Sequence, residues 1–198
     1  MPRYDSITLA SASPRRQELL RQIGVAHAVD PADLDESRLP GEAPAVYVAR
    51  LARAKAEAVW QRAPTRPVLG ADTTVTLGGE LFGTAANQTE CLDMLEVLSG
   101  RTHEVMTAVA LRHAGGVLEA LSVSEVTMRP LGRAECARYW ATAEPLGKAG
   151  GYAIQGRAAT FITRLTGSYS GVMGLPLAET AQLLASAGVR LWNTGEGA

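Results

Sequence analysis

Apolar and polar positions along this chain change period several times, and the changes divide it into elements. Ile7 to Ala10 reads as a short buried strand. From Pro14 the spacing turns helical: Leu19, Leu20 and Ile23 share a stripe, Pro14 opens the helix, and Gly24 is a natural C′ residue. "VAHAV" (25–29) reads as a second strand, and the acidic, turn-rich "DPADLDESRLPGEAP" (30–44) as a loop. A long helix follows from Pro44 to about Arg62, with Val46, Leu51, Ala54 and Val59 facing inward and Arg50, Arg53 and Glu57 nearer solvent. "RPVLGADTTVTLGGELFG" (66–83) gives a strand, a corner at Gly70 to Thr73, and a hairpin through Gly78-Gly79. Thr89 to Leu98 predicts a short helix that stops at Ser99-Gly100. His103–Arg112 and Val117–Met128 flank "HAGG", a second hairpin signal. Arg133 to Ala143 reads as helix, "EPLGKAGGYAIQG" (144–156) as a glycine-rich loop, Ala158 to Leu165 as strand and Pro176 to Ala187 as a last helix.

Strands and helices are thus interleaved, with hairpins in the middle. That pattern predicts an α/β fold with a mixed sheet, not a purely parallel one. No repeat or low-complexity linker divides the 198 residues, so one domain over 1–198 is expected, ordered from about 6 to 192, with "NTGEGA" as a frayed tail. The composition, 46% hydrophobic and 20% charged, is ordinary for a globular core. A net charge of −1 gives no global attraction to nucleic acid or an anionic membrane, so any anion site must be local. Cys91 and Cys136 lie far apart and share no close-spaced motif, as expected of two ordinary thiols in a cytoplasmic protein. No signal-peptide pattern opens the chain and no run is long enough to span a bilayer.

Charge becomes informative at "LASASPRRQELL" (9–20), where a helix begins with two cations, Arg15 and Arg16. Exposed cations at a helix start cost about 0.3–1 kcal/mol unless an anion joins them. Ser11, Ser13, the backbone N–H groups and the two guanidinium forks would make a phosphate site. The other reading has Ser13 as a simple cap beside solvated arginines. Asp72 in "GADTT" follows an apolar strand, where α/β proteins gather ligand groups; it would hold a cation or accept a proton, or else cap a turn. Asp33, Asp35 and Glu36 would repel a phosphate unless magnesium lay between, and otherwise form a solvated loop. Seventeen arginines against two lysines, Lys55 and Lys148, suggest that an ammonium is kept where a compact cation is needed, unless chance kept it. Gln155 can both donate to and accept from a nucleobase edge. The chain has no phosphate-binding G-x-x-x-x-G-K-[ST] loop, no G-x-G-x-x-G after the first strand, no G-x-S-x-G, and no metal-ligand spacing among its histidines.

Taken in order, "LASASPRRQELL", Asp35-Glu36, "LARAKA", "GADTTV", "LSGRTHEVMTAVAL", "KAGGYAIQG" and "GSYSGVMGLPL" resemble the Maf family of nucleoside triphosphate pyrophosphatases, from about residue 7 to 187. The resemblance implies a curved mixed sheet with helices around it and a cleft between two lobes, similar to inosine triphosphate pyrophosphatases. It implies hydrolysis of a nucleoside triphosphate to the monophosphate and pyrophosphate with a divalent metal, Mg2+ or Mn2+. On that footing Asp72 accepts the proton and Lys55 joins it in catalysis. Ser11, Ser13, Arg15, Arg16 and Lys148 bind the triphosphate, while Asp72, Glu36 and Asp35 hold the metal. Arg15, Thr73 and Gln155 match the branch acting on dTTP and UTP, where the branch acting on 7-methyl-GTP tends to have tryptophan, glutamine and glutamate. The implied partner is the small nucleotide, with no nucleic acid or membrane; members of the family often form homodimers. One departure stands out: the family usually reads G-K-P where this chain has Gly83-Thr84-Ala85. Loss of that lysine leaves an alternative, a weakened nucleotide-binding protein regulating septum formation.

Overall fold

The run at Ile7 is a strand inside a seven-stranded mixed sheet. The computed structural model describes residues 4–192, so the expected frayed tail, 193–198, lies outside the described residues. In chain order the elements begin with β1 (Ser6–Leu9), α1 (Pro14–Gln22), β2 (Ala26–Val29), α2 (Pro44–Arg62), β3 (Val68–Leu77) and β4 (Glu80–Phe82). They continue with α3 (Gln88–Leu98), β5 (Thr102–His113), β6 (Gly116–Met128), α4 (Arg133–Trp140), β7 (Ile162–Thr166), α5 (Tyr169–Met173) and α6 (Leu177–Ser186). The sheet runs β2-β1-β3-β5-β6-β7, with β4 beside β3. β1 is parallel to β2 and β3, and the other pairs are antiparallel.

Local signals explain most boundaries. Gly24, at φ +65°, turns the chain out of α1 without a Cβ penalty. Gly78 and Gly79, both at positive φ, make the two-residue turn of the β3–β4 hairpin. The Asn87 side chain accepts from the Glu90 N–H at 3.0 Å and starts α3. β7 begins at Ile162, not Ala158, because a short 3-10 helix (Arg157–Phe161) intervenes. The α4 helix ends at Trp140, before the expected Ala143, which adopts φ +59°. α5 has too few residues and too much serine and glycine to carry a helical stripe, and went unpredicted.

Two expectations fail for one shared reason. Gly70 to Thr73 is not a corner; β3 runs straight through it for ten residues. The buried stripe of α2 is Val48, Leu51, Ala52, Lys55, Ala56 and Val59, while Val46 is 59% exposed. Gly70 sits directly under Ala52 and Ala56, so the helix backbone comes closest to β3 there. Close approach, not a bend, is what the glycine provides.

The core falls into clusters on either side of the sheet's middle. One gathers Val75, Leu95, Val105, Val126, Tyr139, Tyr152 and Phe161. Another joins β1, α1 and α6 through Ile7, Leu9, Leu20 and Leu184, and a third packs α2 on Val68, Ala108 and Ala110. Among the described residues no helix is long and apolar enough to cross a membrane.

Gly70→Ala tests the close approach: its Cβ would lie 2.2 Å from the Ala52 carbonyl oxygen and 2.7 Å from the Ala56 nitrogen. Urea unfolding should show a loss of about 3 kcal/mol with an unchanged m-value.

Candidate active site

β3 has two edges, and only one is continuously covered. β5 pairs with Val68 to Thr76 along one side. On the other, β1 reaches only Val68 and Leu69, and β4 begins at Val75. Among the described residues no strand pairs with Gly70–Thr74 on that edge. A cavity of about 430 Å³ opens at this gap. Asp72 therefore lies mid-strand, three residues past the point where β1 ends beside Leu69, instead of at the end of its own strand. The same gap lets neighbours that point to opposite sheet faces, Asp72 and Thr73, line one cavity.

Lys55 comes from the buried stripe of α2, and a buried ammonium must be paired. Its Nζ donates to Asp72 Oδ1 at 2.7 Å and lies 2.8 Å from Glu36 Oε1. Burial raises the Asp72 acid above the ordinary aspartate value, with Glu36 adding to the rise; Lys55 and Arg16 work against it. Asp35, beside Glu36 in sequence, is turned away: its Oδ1 accepts from the Ser37 N–H at 2.9 Å, and it is not on the cavity wall. Of the three carboxylates expected to hold a metal, Glu36 and Asp72 line the cavity and Asp35 does not. Among the described residues no group of three or more His, Cys, Asp or Glu side chains is placed to hold a metal. Two carboxylates facing a phosphate site are nonetheless the donors magnesium commonly takes from a protein.

The two arginines at the start of α1 are differently employed. Arg16 is enclosed: Nε donates to Gly174 O at 2.8 Å, one terminal nitrogen to Ser11 Oγ at 3.0 Å, the other to Thr73 Oγ1 at 3.2 Å. Arg15 is tied through Nε to Met173 O at 3.2 Å, and both side chains line the cavity. Burial lowers both guanidinium pKa values; for Arg16, Asp72 opposes this and Arg15 adds to it. Ser13 lines the cavity and makes no side-chain cap bond, whereas Ser11 stands outside the wall and holds Arg16. Thr107 Oγ1 donates to Gly171 O at 2.8 Å, so the 2.9 Å contact between the two threonine hydroxyls must be donated by Thr73. Protons therefore run one way from Arg16 through Thr73 and Thr107 to Gly171, and Thr73 has only an acceptor site left for a ligand.

The glycine-rich loop closes the other side. Lys148 and Gln155 both reach the wall, Gln155 at the exposed mouth. Burial and the nearby Arg15 charge lower the Lys148 pKa. Thr84 also lines the cavity, bridged to Ala149, so the departure from the family lysine falls on the site itself. Four cations, Arg15, Arg16, Lys55 and Lys148, face two carboxylates there, a locally positive cleft in a chain of net charge −1. Sequence reading missed the apolar wall formed by Val75, Val105, Tyr152, Ile154 and Val172. Val75 was within reach, since period two puts it on the same face as Thr73.

Comparison with known proteins agrees in family and fold. A family model described as "Maf-like protein" matches residues 6–187. A "dTTP/UTP pyrophosphatase" of Bordetella avium (strain 197N) is 53% identical over 192 residues, 92% of this chain and 96% of that protein. Another so named, from Burkholderia thailandensis, is 52% identical over 201 residues, covering 95% and 96%. A solved structure titled "Structure of a HAM1 protein from Coxiella burnetii" aligns at a TM-score of 0.50 with 19% identity, over 93% of this chain and all of that one, and so shares the fold.

Lys55→Met would strand Asp72 in the interior. We expect stability to fall by about 3 kcal/mol at neutral pH. The Asp72 pKa is already raised in the folded state, so that state binds a proton more readily than the unfolded one. Removing Lys55, which holds that pKa down, raises it further, so the variant's loss should shrink as pH falls from the variant's Asp72 pKa toward the wild-type one. Denaturant unfolding from pH 7 to pH 4 reads this; a loss independent of pH would break the coupling.

Proposed function

This chain belongs to the Maf-like protein family, and from that membership we propose that it hydrolyses dTTP and UTP to the monophosphate and pyrophosphate. The observation that carries the reading is the buried Asp72 carboxylate, gripped by Lys55, on the wall of a cleft that gathers four cations. The triphosphate lies along the start of α1, its oxygens taken by Arg15, Arg16, Ser13 and Lys148. Water attacks the α-phosphorus, the α–β bridging bond breaks, and pyrophosphate departs. Asp72 takes the proton of the attacking water, a task its raised pKa favours. Lys55 fixes the carboxylate and offsets charge on the phosphates.

Glu36 and Asp72 would hold a divalent cation, Mg2+ or Mn2+, together with the substrate phosphates. Bound there, the ion would supply further neutralisation of phosphate charge. Gln155 faces the base from the open mouth, where its amide can both donate and accept, as the uracil or thymine edge requires. Thr73 contributes through Arg16, since its hydroxyl proton is committed to Thr107. The names of the relatives speak for an enzyme and not for the regulatory alternative.

The test is pyrophosphate release from a panel of nucleoside triphosphates with magnesium or manganese. dTTP and UTP should be turned over best, and Asp72→Asn should lower kcat at least about 100-fold. Turnover confined to purines, or an Asp72→Asn enzyme as active as wild type, would overturn the proposal. Thr84→Lys adds an ammonium to the wall and should raise kcat/KM about tenfold.

A further inference from the structure

The loop that carries Lys148 and Gln155 is held at several places, among them its middle, where the Tyr152 hydroxyl lies 2.7 Å from the buried His103 Nε2. Its first half is tied to the β4 end: the Gly150 N–H is shared between Phe82 O and Gly83 O, each at 3.0 Å, and Ala149 bridges Thr84. Its second half has a different anchor. Glu144 Oε1 accepts from the Tyr139 hydroxyl at 2.9 Å and from the Ala158 N–H at 3.2 Å. Glu144 Oε2 accepts from the Arg157 N–H at 2.9 Å. Tyr139 in turn accepts from the Ala153 N–H at 3.2 Å. The carboxylate thus closes the segment 144–158 on itself and, through one phenol, fixes the stretch leading to Gln155.

Gly156 confirms how closely the carboxylate sits under the chain. A Cβ there would lie 2.4 to 2.5 Å from the carboxyl atoms of Glu144, so any side chain would displace the clamp. Burial opposes the charge on Glu144, but the Arg157 and Ala158 N–H groups and Tyr139 outweigh it and hold the acid below the ordinary glutamate value. The clamp is therefore set throughout the neutral range.

We propose that Glu144, acting through Tyr139, is a positioning residue for the base-binding end of the cleft. Its separate anchorage means that loosening it frees Ala153–Gln155 while leaving Lys148 and the arginines in place. This rests on the reading of the cleft as a dTTP/UTP site.

Glu144→Gln keeps the size but turns an N–H donor toward a backbone N–H. Hydrogen exchange without nucleotide should quicken at residues 153–158 and not at 147–151. KM for dTTP should rise about tenfold with kcat within about twofold, as expected for loss of charge-assisted bonds that orient a binding group. The inhibition constant of inorganic triphosphate, which has no base, should stay within about twofold of wild type. Tyr139→Phe, which removes one hydroxyl, should move exchange and KM in the same direction by less, and decides the matter if Glu144→Gln does not fold. Unchanged exchange, an unchanged dTTP KM, or an equal rise for triphosphate would each overturn the proposal. Wild-type enzyme that turns over neither dTTP nor UTP would remove the substrate reading, while the exchange rates would still report on the clamp.

Discussion

Lys55 stands on the inner face of α2, and the design of the cleft follows from what a buried ammonium demands. An unpaired charge there would be expelled or neutralised. Pairing with Asp72 on β3 and Glu36 on the preceding loop satisfies it and draws three chain segments to one point. The pairing also requires α2 to lie close enough to β3 for a lysine to reach a strand residue whose own side chain is short. Gly70, Ala52 and Ala56 provide that closeness, since none presents bulk at the contact. A packing feature, the small-residue contact, thereby sets the geometry of a chemical one.

The gap in the sheet edge gives the site its second property. Where β1 ends and β4 has not begun, the β3 backbone is left open, and the chain leaving β1 turns directly into α1. A helix start and an acid on a strand are brought to the same opening by topology alone, in keeping with the rule that α/β sheets bind ligands where strand order changes. Three of Arg16's five N–H groups hold this junction, bonded to α1's approach, β3 and the end of α5, and one on each terminal nitrogen is left over. Arg15, one residue earlier on the helix, is bonded only through Nε and keeps both terminal nitrogens for the cleft.

Much of this was legible in the sequence where the signal is local. The interleaved strands and helices, both hairpins, Gly24 and Lys55's place on a helix can be read from spacing and turn chemistry. What escaped depended on partners far along the chain. Gly70 looks like a bend until Ala52 and Ala56 are known to press on it. Asp35 and Glu36 are indistinguishable in a turn-rich loop. Their division is made by Tyr47, which donates to Glu36 O, and by Arg50, which donates to Ser37 O and grips Glu42. Adjacent arginines on one helix face about 100° apart, but only the carbonyls of Met173 and Gly174 decide which of them is enclosed.

The two ends of the cleft are built by different means, and the difference suits a triphosphate carrying a base. Polyphosphate charge is the same whatever the nucleoside, so the end proposed to hold it can be rigid: Arg16, Thr73 and Thr107 form a chain of bonds whose proton direction is fixed, anchored on Gly171. Base identity must be read by a group free to present either hydrogen-bonding face, and an exposed amide such as Gln155 can do so only if its backbone is held. Holding the backbone from beneath, with a carboxylate that never enters the cleft, fixes the reader without consuming its donors. If the cleft holds a triphosphate as proposed, charge at one end and a clamped neutral amide at the other would separate affinity for the phosphates from discrimination among bases, so that each could vary with little cost to the other.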